Sequence, residues 1–184
     1  MTGLLHLMRH AETAIDHSVP VHEWQLTEEG LRHVENLASM GIFDSIDSII
    51  SSTEPKALQT AMPFADRLGI GVERYPELRE LDRGKGGLLS NAEYLHSVEG
   101  LLNRHHAVPG WEFRDTAMAR FQTGLRKIMD KGGFKEALLI SHGIVLSMHF
   151  ASLLGFEEVF SRWQRLRFCA WGTIQGTTVI KDII

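Results

Sequence analysis

The sequence predicts an α/β domain in which a sheet lies between layers of helix. Short apolar runs at 4–8, 46–50 and 137–141 end in small, polar or histidine residues, the pattern of buried parallel strands. Longer segments between them carry apolar residues at helical spacing, so strands alternate with helices. Two of the runs are followed by a histidine, His10 and His142. In an open parallel sheet ligands bind beyond the carboxyl ends of the strands, so two strands of one sheet would bring both imidazoles to the same rim.

The elements follow in order. After the first strand, residues 11–25 are polar and irregular, with Pro20 and Trp24, and read as a loop over the strand ends. Thr27 is an N-cap, Glu28 and Glu29 suit the first turn of a helix, and Leu31, Val34, Ala38 and Gly41 form its core-facing stripe. The strand at 46–50 runs into Ser51-Ser52-Thr53. Pro55 opens the next helix, Ala57, Leu58, Ala61, Met62, Ala65 and Leu68 are its stripe, and Gly69 stops it. Residues 72–75 make a third strand, and Gly84-Lys85-Gly86-Gly87 must be a loop. Helical patterns occupy 90–103 and 114–131, with the linker 103–109 between them. Residues 144–154 are apolar on nearly every side and predict a helix buried in the core. The segments 166–171 and 173–180 read as two terminal strands, a hairpin around Gly172.

Bulk properties narrow the function. A length of 184 residues fits a single domain, 1–184, with a substantial core. A net charge of −4 gives no global signal for nucleic acid or a membrane surface. No run approaches the roughly 18 apolar residues of a membrane span, and no charged segment precedes an apolar one at the start. The single Cys169 cannot form an internal disulfide and reads as a core residue in a reducing compartment. These features predict a cytoplasmic protein that uses neither nucleic acid nor membrane.

The chemistry-bearing residues lie at the strand ends. Arg9 offers a planar fork of donors to an anion, and a neutral His10 beside it can attack phosphorus. His142-Gly143 opens a helix whose free N–H groups favour an anion. Lys56 sits in the first turn of its helix, where its charge opposes the dipole, a hint of a bound anion. Glu80, among Arg79, Asp82 and Arg83, would gain proton affinity beside a phosphate, as a general acid requires. A lysine or glutamate of this kind is otherwise an ordinary surface residue, and a strand-end histidine is often satisfied by backbone. The glycine-rich 84–87 lacks the spacing of a nucleotide loop. His6 and His10 have metal-ligand spacing, but they lie on a strand and lack a third ligand, so no metal site is predicted.

Leu7-Met8-Arg9-His10-Ala11-Glu12-Thr13 resembles the opening signature of the histidine phosphatase superfamily, the phosphoglycerate mutase-like proteins. The resemblance continues through Leu26-Thr27-Glu28-Glu29-Gly30, Ser51-Ser52 with Lys56-Ala57-Leu58-Gln59-Thr60-Ala61, Leu78-Arg79-Glu80, and Ser141-His142-Gly143. It implies a three-layer α/β/α fold around a six-stranded, mostly parallel mixed sheet. It also implies that His10 becomes phosphohistidine, that Arg9, Lys56, His142 and Gly143 surround the phosphoryl oxygens, and that Glu80 serves as acid and then base. No metal or organic cofactor is needed, because phosphoryl transfer asks mainly for positioning and positive charge. Three positions depart from the pattern: Ala11 for glycine, Asp16 for an asparagine that many members carry, and Lys56 for arginine. A carboxylate at 16 repels an anion unless it turns away.

These readings predict a phosphatase acting on a phosphorylated small molecule. A mutase is the nearest alternative, disfavoured because the chain is shorter than typical mutases of the family. A catalytically weak phosphate-ligand binder is the other, motivated by the three departures. An exposed sheet edge could support a homodimer. Trp24, Arg83, His105 and Trp111 are candidate rim residues.

Overall fold

The computed structural model describes residues 3–84 and 89–184. Its strands are β1 (Leu4–Arg9), β2 (Ser48–Ser51), β3 (Val72–Arg74), β4 (Glu136–Ser141), β5 (Trp171–Gln175) and β6 (Thr178–Lys181). They form one six-stranded sheet in the order β3-β2-β4-β1-β5-β6. β3, β2, β4 and β1 run parallel, and β5 and β6 close one side antiparallel. The mixed α/β architecture is therefore as the sequence predicts.

The central strands are buried on both faces, which is why they read as continuous apolar runs. Leu5, Leu7, Ala137 and Leu139 point into one core. Met8, Leu138, Ile140 and Ile49 point into the other. The second core is covered by α1 (Glu28–Ser39) and α2 (Pro55–Leu68), which supply Val34, Leu37, Ala57, Ala61 and Phe64. The first is covered by α3 (Asn91–Arg104), α4 (Arg114–Lys131) and α5 (Gly143–Leu154), which supply Leu101, Phe121 and Val145 among others. α5 is buried from Gly143 to Ala151, as its lack of a polar face requires.

Local chemistry fixes the helix starts. Thr27 Oγ1 accepts the Gly30 N–H at 2.8 Å and caps α1. Ser90 and Glu93 form a reciprocal capping box on α3. Pro55 holds the first turn of α2, and Gly69 ends it at φ 66°. Gly30 has a second role, since a Cβ there would stand 2.5 Å from the Glu12 carbonyl oxygen. The Leu-Thr-x-x-Gly pattern thus lets the start of α1 press against the loop that follows β1.

Three expectations need correction. The strand expected at 46–50 is Ser48–Ser51, because 41–45 form a turn that leaves Ile46 anchored in the core. The terminal hairpin does not turn at Gly172. That residue lies inside β5, pressed on by the Phe150 ring, and the turn comes at Gly176 with φ 61°. Residues 166–170 are not a strand, because Cys169 adopts the left-handed conformation at φ 56°, which breaks extended pairing. The sequence reading also missed α6 (Val159–Arg165), whose seven residues are too few to display a helical period. Of the glycine-rich loop at 84–87, Gly84 is a turn residue, and the rest lie outside the described residues. Among the described residues no helix is long and apolar enough to cross a membrane.

Gly172→Ala tests the contact between β5 and α5. The new Cβ would meet the Phe150 ring at 2.4 Å and the Ile183 nitrogen at 2.9 Å. Overpacking of this kind costs about 1–3 kcal/mol in denaturant unfolding. Gly71→Ala, where the Cβ meets nothing within 4 Å, should stay within about 0.5 kcal/mol of the parent.

Candidate active site

β1 and β4 are neighbours in register, with Arg9 opposite Ser141. The residues that follow, His10 and His142, leave the sheet side by side. Their ring centroids lie 5.2 Å apart at an interplanar angle of 59°. His142 is fully buried and His10 is 7% exposed.

The His10 ring is held in one tautomer. Its Nδ1 lies 2.7 Å from its neighbour's carbonyl, Ala11 O, and that oxygen can only accept. Nδ1 therefore carries the proton, and Nε2 keeps the lone pair. The chain after His10 is tied down as well. The Ala11 N–H donates to Thr60 Oγ1 at 2.9 Å, and the Leu26 N–H donates to Gln59 Oε1 at 2.8 Å. The Gln-Thr pair of α2 thus fixes the loop that carries His10. Ala11 is not among the residues with positive φ, so this backbone needs no glycine.

Positive charge surrounds the two rings. Arg9 stacks its guanidinium 4.2 Å from the centre of the Phe168 ring and donates from Nη1 to the Leu166 carbonyl. Among the described residues its Nε is buried without a hydrogen-bond partner, as is Nδ1 of His142. Gly143 permits this approach, since a side chain there would stand 3.3 Å from Arg9 Nε. Lys56 is 4% exposed, donates to the Val21 carbonyl at 2.8 Å and pairs with Glu54 at 2.5 Å. Burial above all holds both imidazoles well below the ordinary histidine range; for His10 the neighbouring His142 and the Arg9 charge come next, and for His142 the charges of Lys56, Arg120 and Arg9. Both are neutral at neutral pH, the form that can attack phosphorus or donate a hydrogen bond.

Glu80 reaches the same place from the loop after the 3₁₀ turn Pro76–Leu78. Its carboxylate accepts N–H groups from Ile144 at 2.9 Å, Val145 at 3.2 Å and Leu81 at 3.0 Å. It therefore caps the start of α5. These bonds favour its charged form, yet burial outweighs them and raises its proton affinity. Beside it opens a cavity of about 300 Å³, lined by Glu54, Glu80, Arg79, Arg83 and the loop residues Val21 and His22. Among the described residues no cluster of metal-binding side chains is present.

The matching family model is that of the histidine phosphatase superfamily (branch 1), and it covers residues 5–178. The chain belongs to this superfamily. It is 27% identical over 183 residues to a probable phosphoglycerate mutase of Yersinia pestis, spanning 90% of this chain and 81% of that protein. Among solved structures, YhfR of Bacillus stearothermophilus superposes with a TM-score of 0.79 at 20% identity, covering 97% of this chain and 95% of that one. The alpha-ribazole phosphatase of Shigella flexneri does so with a TM-score of 0.74 at 23% identity, covering 97% and 94%. At these identities the structures attest the shared fold.

Within that family frame, all six candidate residues, Arg9, His10, Lys56, Glu80, His142 and Gly143, gather at the carboxyl ends of the central strands. Asp16 does not join them. It is exposed, and its carboxylate turns onto Ser18, accepting its N–H at 2.8 Å and its hydroxyl at 2.6 Å. Of the rim candidates, Arg83 lines the cavity. Trp24 donates to the Asp16 carbonyl, Trp111 packs near Tyr94, and His105 lies against Arg114 at the end of α3.

Two residues escaped the sequence reading. Ser52 lies 2.8 Å from Nε2 of His142, and its position at the end of β2 was a usable signal. Glu54 is buried between Lys56 and His142. Nothing in the local pattern distinguishes it from an ordinary acid at a helix start.

The depressed proton affinity of His10 and His142 has a signed consequence. The folded chain refuses protons that the unfolded imidazoles bind, so stability is full above about pH 6.5 and falls as pH drops below it. Imidazole NMR titration should show both rings still neutral at pH 6. Protonation of either ring at or above pH 6.5 would contradict this electrostatic picture.

Proposed function

We propose that the protein is a phosphatase that hydrolyses a phosphomonoester through a phosphohistidine on His10. The tautomer of His10 carries this reading: the Nδ1–H donates a hydrogen bond to the Ala11 carbonyl at 2.7 Å, which leaves the Nε2 lone pair as the nucleophile. In the first step the Nε2–P bond forms and the P–O ester bond breaks, while Glu80 gives its proton to the departing alcohol oxygen. In the second, water attacks phosphorus, the N–P bond breaks, and Glu80 takes the water proton back. Raised proton affinity suits Glu80 to the first task at neutral pH.

The remaining groups bind and orient. The free Nε of Arg9 and Nδ1 of His142 are donors for equatorial phosphoryl oxygens. Lys56 adds charge from the first turn of α2. In-line displacement needs this positioning more than any further covalent chemistry. The reading needs no metal or organic cofactor, and it is compatible with a single cytoplasmic domain. The name of the Yersinia relative supports phosphoglycerate mutase activity as a second reading.

The test is release of phosphate from an aryl phosphate and from 3-phosphoglycerate. Wild type should release phosphate from the aryl ester, and His10→Ala should abolish it. Isomer exchange of phosphoglycerate without release would favour the mutase, and phosphate binding without turnover would favour a non-catalytic binder. Lys56→Ala should lower kcat/KM roughly 10²-fold, the typical loss of one electrostatic donor, whereas Lys56→Arg should preserve activity. An unaltered Lys56→Ala would remove Lys56 from the anion site.

A further inference from the structure

Glu54 is the residue of the site that phosphate binding does not explain. It stands at the N-cap of α2, where an acid ordinarily turns onto the free N–H groups of its own helix. Its side chain makes no such bond. Instead one carboxylate oxygen accepts the Glu80 N–H at 2.7 Å and lies 3.6 Å from Nε2 of His142. The other lies 2.5 Å from Nζ of Lys56. Glu54 is 6% exposed, and it borders the cavity beside Glu80.

Glu54 therefore neutralises Lys56 before any ligand arrives. Phosphoryl oxygens reach that ammonium only by sharing it with the carboxylate or displacing it. Further out, Glu23 and Asp82 line the same cavity, opposed by Arg79 and Arg83. Arg79 is drawn 3.4 Å from the Glu112 carboxylate, and Arg83 lies 5.0 Å over the Tyr94 ring. An ester whose alcohol bears its own carboxylate would add negative charge to walls that already hold several acids. Like-charge juxtaposition is an effective means of rejecting a ligand.

We propose, on the phosphatase reading above, that Glu54 is a specificity-determining residue. It selects phosphomonoesters of uncharged or amine-bearing alcohols and rejects those whose alcohol carries a carboxylate. The selection works through the counter-charge it places on Lys56 and on the inner wall of the cavity.

The experiment compares kcat/KM for phosphoethanolamine and 3-phosphoglycerate in wild type, Glu54→Gln and Glu54→Leu, with inorganic phosphate binding followed by calorimetry. Wild type should prefer phosphoethanolamine by about tenfold or more. Both variants should shrink that preference and bind phosphate about tenfold more tightly, the scale of one partly screened charge. A wild type that prefers 3-phosphoglycerate overturns the proposal, even if neither variant folds. So does a folded variant with unchanged preference, or one that binds phosphate no more tightly. If wild type hydrolyses neither of these esters nor the aryl phosphate, the phosphatase reading fails by itself. Tighter phosphate binding by the variants would then still support Glu54 as a counter-charge.

Discussion

Arg9 and Ser141 face each other across two parallel strands at the centre of the sheet. The residue after each is a histidine, so the two imidazoles leave the sheet together. The parallel ladder fixes this more firmly than any side-chain contact could. A slip of one residue in either strand would send its apolar side chains to the wrong core. The hydrophobic effect therefore sets the spacing of a polar site, because Leu5, Leu7 and Met8 permit one register only. The remaining parts of the site are hung on this pair. α2 fixes the loop after His10 through Gln59 and Thr60, and α5 starts at His142.

Burying charge at that point is costly unless each group has partners. The site meets the cost in three ways. The imidazoles are neutral. Glu80 is held by three backbone N–H groups. Lys56 is matched by Glu54 and by a carbonyl. Among the described residues, Arg9 Nε and His142 Nδ1 are buried nitrogens of the site without a hydrogen-bond partner. Leaving such groups unsatisfied is unfavourable in the free protein, and an anion that accepts from them recovers the difference. Affinity for phosphate and stability of the empty site are thus opposed.

Much of this was legible in the sequence, for physical reasons. Fully buried parallel strands announce themselves as apolar runs, and a histidine after such a run has few other places to be. The helix starts at Thr27 and Pro55 carry local signals that tertiary contacts do not override. What could not be read depends on distant packing. Gly172 looks like a turn residue, yet its small size is demanded by Phe150, from another element. Cys169 gives no local warning of its left-handed backbone. α6 is too short to show a period. Glu54 resembles an acid suited to its own helix, and only its neighbours across the fold reveal that it serves elsewhere.

The misread segment at 166–170 bears on the site directly. As a strand it would have continued the sheet past β5 and left Arg9 with no enclosing wall. As a loop, with Cys169 bent at φ 56°, it folds back over the end of β1. The Arg9 N–H donates to the Ala170 carbonyl at 2.9 Å, and the Cys169 N–H to the Arg9 carbonyl at 3.1 Å. The same loop offers Leu166 O and the Phe168 ring to the guanidinium. Arg9 is thus gripped at backbone and side chain by one short segment, and its planar fork is oriented before any anion binds. Preorganised donors avoid the cost of ordering at the moment of reaction. The bend at Cys169, which defeats strand prediction, is what aims the arginine.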